Sequence, residues 1–70
     1  MVQQIGDPIL QLLSSLNPGA NVDRVFINGR VESVDAFASF DAATGLATFV
    51  KNNGEILMVD YTRIDALKFK

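Results

Sequence analysis

The stretch Asn53-Gly54-Glu55-Ile56-Leu57-Met58-Val59-Asp60-Tyr61-Thr62-Arg63-Ile64-Asp65-Ala66-Leu67-Lys68-Phe69 decides how the chain folds. Ile56, Leu57, Met58 and Val59 form a short apolar run, residues 60–63 are a polar break, and Ile64, Ala66, Leu67 and Phe69 resume an apolar pattern. The pattern reads as two β-strands joined by a corner too tight for an ordinary hairpin loop. Strands joined in this way bend sharply, which is how a small sheet curls into a barrel.

Upstream of this stretch the chain supplies the other parts. Asp7 followed by Pro8 predicts an N-cap with proline at the first helical position, where a missing N–H is harmless. Ile9, Leu12, Leu13 and Leu16 then fall at i, i+3, i+4 and i+7, one apolar stripe on a helix over about residues 7–17. Asn17-Pro18-Gly19 stops it. A helix this short is not stable alone and must lie on its own barrel or on a neighbour.

Residues 22–27 alternate, with Val25 and Ile27 expected on one face and Val22, Arg24 and Phe26 on the other. Asn28-Gly29 is a strong signal for a two-residue hairpin turn. The next strand, residues 30–41, is long; its apolar positions Val31, Val34, Ala36, Ala38 and Phe40 change phase near Glu32-Ser33, with Phe37 placed opposite. A phase change of that kind predicts a bulge that lets one strand serve both halves of a barrel. Residues 41–45 are a turn with Gly45 at positive φ, residues 46–51 a third strand, 52–54 a turn, 55–61 a fourth strand and 64–69 a fifth. The expectation is one mainly β domain over residues 1–70, a helix and then a strongly bent, five-stranded antiparallel barrel over about residues 21–69.

Composition excludes several classes of function. The 70 residues contain no cysteine and no histidine, so disulfides, thiolate or imidazole metal sites and histidine-dependent acid–base chemistry are ruled out. Asp35 with Asp41, or Asp60 with Asp65, do not make a catalytic pair, because a barrel this small has no cleft to split two pKa values. Calcium needs about six or more oxygens, which no loop here offers. No catalytic residue, cofactor, metal or small-molecule substrate is therefore expected, and the chain reads as not an enzyme. The net charge is −2, and the six Lys and Arg are scattered, so no basic stripe is present for nucleic acid. The first sixteen residues carry no Lys or Arg and include Asp7-Pro8, unlike a signal peptide, and no apolar run reaches membrane-spanning length. Cytoplasmic synthesis without a membrane partner is the expectation, with a route to a cell or spore surface left open.

The order of parts resembles the Sm-like family of small barrels, related in shape to SH3 folds, and most closely its bacterial RNA-chaperone branch, Hfq. The residues that carry the resemblance are Asp7-Pro8 before an apolar helix, Val25-Phe26-Ile27-Asn28-Gly29, Ala38-Ser39-Phe40-Asp41, Lys51-Asn52, and Met58-Val59 followed by Ile64. A looser resemblance is to Sm-like proteins of endospore-forming bacteria. The family resemblance implies that the fourth strand of one subunit pairs with the fifth of the next, closing a ring. Ile56, Leu57, Met58, Val59, Ile64, Ala66, Leu67 and Phe69 are then the subunit interface, and a homo-oligomer is expected.

Where the RNA chaperones place their uridine pocket, this chain has Gly6, Ala42-Ala43 and Asp60-Tyr61-Thr62. The stacking aromatic and the cationic donors are missing, and those two terms supply most single-strand affinity. Two readings follow. In the first, the chain is a self-assembling structural protein forming rings, ring stacks or fibres through strand pairing. In the alternative it is an RNA-binding ring in which Asn28, Lys51, Tyr61 and Arg63 serve as the contacts. For Tyr61 and Arg63 the competing reading is structural: a corner residue capping the barrel, and an arginine paired with Asp60 or Asp65.

Overall fold

The computed structural model describes residues 8–70; the expected cap at Asp7 lies outside the described residues. Helix α1 spans Pro8–Ser15. Strands β1 (Val22–Ile27), β2 (Arg30–Asp41), β3 (Leu46–Lys51), β4 (Ile56–Asp60) and β5 (Ile64–Phe69) follow, with a 3₁₀ turn at Tyr61–Arg63 between the last two. The chain is thus mainly β, as expected.

The helix ends two residues short of the expected limit. Ser14 Oγ donates to the carbonyl of Leu10, and Ser15 Oγ to those of Gln11 and Leu12, a local bonding that competes with further helix. Leu13 is fully buried, and Ile9 and Leu16 pack against the same core. Leu12, expected in that stripe, is only half-buried and stands outside it. Helix α1 rests against β5 and the 3₁₀ turn, so it covers its own sheet.

The Asn28-Gly29 hairpin forms as read: both residues have positive φ, 51° and 81°, the twist of a type I′ turn. The bends, however, sit elsewhere than expected. In the β2–β3 ladder Val34 pairs with Lys51 and Ala36 with Val50, then Phe37 with Phe49 and Ser39 with Thr48. Asp35 and Ala38 are left without partners, so each is a bulge, and Glu32-Ser33 is regular. One extra residue per bulge reverses the side-chain phase. Val34 and Phe37 are therefore both buried three residues apart, and half-buried Phe40 packs against the same cluster. This corrects the placing of Phe37 opposite to Val34; its ring is central, packed edge-on to Phe49 at 5.8 Å. In β1 a similar register shift leaves Asp23 unpaired and buries Val22 beside Val25, also against the simple alternation.

The first part of β2 pairs with β1 through residues 30–33, and the rest pairs with β3. One strand does serve both halves of the sheet. The sheet order is β4-β3-β2-β1-β5, all neighbours antiparallel. No ladder joins β4 to β5, so the expected barrel is corrected to an open sheet whose two ends are bridged by the 3₁₀ corner alone.

Phe49 is wholly inaccessible. Truncating such a ring to alanine costs about 3–5 kcal/mol, as much as the roughly 3–5 kcal/mol net stability of a core this size. Phe49→Ala is expected to abolish the cooperative thermal transition seen by circular dichroism, and Phe49→Leu to keep it at a lower midpoint.

Candidate subunit interface

The edges of the sheet are β4 and β5, and among the described strands nothing pairs with the outer side of either. Along β4, Ile56 and Met58 are each 59% exposed, whereas Leu57 and Val59 turn inward. Along β5, Ala66 is exposed, Phe69 is 41% exposed, and Leu67 is half-buried against the core. Val59 and Ile64 are buried side chains of this protomer's own core. Of the eight expected interface residues, those two can contribute only backbone to a joint, which corrects their side-chain role.

The corner between the edges is held from several directions. The Asp60 carboxylate accepts from the Thr62 backbone N–H at 2.9 Å and from the Thr62 hydroxyl at 2.8 Å. Tyr61 N–H donates to the Gly45 carbonyl at 2.9 Å, and the Tyr61 ring meets Phe40 edge-on at 6.0 Å. Gly45 has φ of +79°, and a Cβ there would lie 3.3 Å from the Tyr61 ring. A side chain at position 45 would strain the backbone and displace the tyrosine that packs against the core. Tyr61 thus has the structural role that the sequence offered as its alternative to base stacking.

The backbone hydrogen bond from Thr62 is the main cause holding the Asp60 carboxyl below the ordinary aspartate value of 3.8, with the Thr62 hydroxyl and the Arg63 charge adding to it. Asp65 has a specific task. It is skipped in the β1–β5 register and its carboxylate accepts the Gly29 N–H at 2.8 Å. With the Arg63 carbonyl accepting from Asn28 N–H at 3.1 Å, this ties the hairpin tip to the start of β5.

The four residues proposed for RNA do not share one place. Asn28 and Arg63 line a shallow cleft of about 220 Å³ with Ile27, Arg30 and Glu32. Lys51 is bound to Glu32 at 3.3 Å, on the wall of that cleft, and Tyr61 is engaged with Phe40. Arg30 was missed by the sequence reading. Its signal was available, because Arg30 and Glu32 alternate on one face directly after Asn28-Gly29. Among the described residues Arg63 forms no ion pair; the bridges are Arg24–Asp23, Lys51–Glu32 and Lys70–Asp35. The expected direct pairing of Arg63 with Asp60 or Asp65 is therefore replaced by a longer-range influence on Asp60.

Among the described residues, no group of three or more acidic, histidine or cysteine side chains is arranged to hold a metal and no helix is long and apolar enough to cross a membrane. No family model, curated protein or solved structure matches the chain.

A carboxyl with a depressed folded-state pKa stabilises the fold above its unfolded pKa and loses that contribution as pH falls through the folded value. Asp60→Asn is accordingly expected to lower the thermal midpoint at neutral pH. The gap to the unsubstituted protein should narrow as pH drops below about 4, because protonating Asp60 removes this contribution from the unsubstituted protein while the variant has none to lose. Melting curves across that range check it.

Proposed function

We propose that this chain is a self-assembling structural protein whose copies join edge to edge, β4 of one against β5 of the next, into rings or stacks of rings. The observation that carries this reading is the sheet order itself, which leaves two unpaired strands at opposite ends of one small sheet. An edge strand presents unpaired N–H and C=O groups, and soluble proteins normally blunt it with lysines, prolines or a covering element. Here β4 carries Ile56 and Met58 outward and contains neither Lys nor Pro. A heterologous contact between two different edges of the same chain closes into a ring when its rotation permits and otherwise grows into a filament. With a core of this size, pairing with neighbours also supplies stability that the lone domain lacks.

A second reading, a ring that binds single-stranded RNA, has one observation in its favour: Asn28, Arg30 and Arg63 converge on one cleft. Against it, Glu32 stands in the same cleft and no aromatic ring lines it. Stacking is what makes sequence-tolerant RNA binding strong.

Light scattering after size exclusion, with negative-stain microscopy, tests the first reading: discrete masses at multiples of the 7.6 kDa chain, or fibres, are expected. Met58→Lys should leave the stability of the dissociated chain within about 0.5 kcal/mol of the original, since the side chain is exposed in the protomer, and should reduce the assembled mass. Ile64→Asp should instead abolish folding, because it buries an unpaired charge in the core. A one-chain mass at all concentrations overturns the proposal. Salt-sensitive binding of labelled uridine- or adenine-rich RNA would favour the second reading.

A further inference from the structure

We infer that the two free edges are matched by charge, an acidic segment 55–60 along β4 against a basic segment 63–70 along β5, so that the partner each edge fits is the opposite edge of a second copy. This rests on the edge-to-edge reading and adds its recognition chemistry. Residues 55–60 contain two acids, Glu55 and Asp60, and no base. Residues 63–70 contain three bases, Arg63, Lys68 and Lys70, against one acid, Asp65.

Local contacts decide which of these charges are left for a partner. Asp65 is committed to the Gly29 N–H, and Lys70 is paired with Asp35 at 2.7 Å. Among the described residues, Arg63 and Lys68 form no ion pair, and neither does Glu55, whose carboxylate accepts only from the Asn53 amide. Glu55, Arg63 and Lys68 are exposed, and Asp60 is half-exposed. Asp60 caps the corner through Oδ1 alone, which leaves Oδ2 to face a partner; Glu55 and Asp60 are five positions apart, as are Arg63 and Lys68, so two opposite-charge pairs match in spacing along one joint.

Pairing like with like has the reverse effect. Two β4 edges bring four carboxylates together with no base between them, and two β5 edges gather cations. Like charges set opposite each other suppress the wrong partner, while complementary ones steer encounter and fix register. The same physics makes the joint sensitive to ionic strength, because these groups are solvent-exposed and screened within about 10 Å at 0.1 M salt.

The test is charge reversal, read by sedimentation velocity at low salt. Glu55→Lys and Lys68→Glu are each expected to weaken association about tenfold, and the double variant carrying both to recover most of it. Circular dichroism should show all three folded, since both positions are exposed. The unsubstituted protein should also dissociate as salt rises from about 0.05 to 0.5 M. Assembly of both single variants like the original, or a double variant no better than the singles, or association strengthened by salt, overturns the charge matching and leaves the edge pairing standing. An unsubstituted protein that remains one chain at all concentrations overturns both.

Discussion

The structure depends on the two bulges of β2. Skipping Asp35 and Ala38 in the ladder puts Val34 and Phe37 on one side of a strand that ordinary alternation would have split, with Phe40 packed onto the same cluster. Phe37 then meets Phe49 edge-on, and the strand changes partner from β1 to β3 as it bends. A bulge strengthens local twist, and here two fall within four residues. The bend brings the ends of the sheet near enough for a three-residue turn to connect β4 to β5, without a ladder between them. The two unpaired edge strands follow from that incomplete closure.

The corner is the second fixed point. The atoms of Asp60, Tyr61 and Thr62 are spent on structure. The carboxylate caps the turn, the tyrosine N–H reaches Gly45, and its ring leans on Phe40. Gly45 is needed both for its positive φ and for the space the tyrosine ring occupies. A corner so constrained holds the two edges at a set angle, which is what a closed assembly of identical copies requires of each joint.

Much of this was legible in the residues. Asn28-Gly29 fixed the first hairpin, Gly45 and Gly54 the turns, and the polar break at residues 60–63 separated the last two strands at their observed limits for β5. Bulge positions were not legible, because apolar spacing shows that a phase changes but not which residue is left over: Val34, Ala36, Ala38 and Phe40 make a convincing alternation that the ladder does not follow. Val59 and Ile64 were read as interface for the related reason that an apolar strand residue has the same appearance whether it faces its own core or a partner. The cleft at Arg30 and Arg63 joins residues far apart in the chain through the docking of the hairpin tip on β5, a tertiary contact made by the Asp65 carboxylate. Local patterns carry no trace of it.

If copies join through β4 and β5, folding and assembly are linked, and the stability of these strands rises with protein concentration. Hydrogen exchange resolves that link strand by strand, since edge amides without a partner exchange through small local openings. The most direct measurement is amide hydrogen exchange by mass spectrometry at dilute and concentrated protein. Selective slowing of exchange at residues 56–60 and 64–69 on concentration, with β2 and β3 unchanged, is the result predicted. Exchange in β4 and β5 that is rapid and independent of concentration would contradict the account.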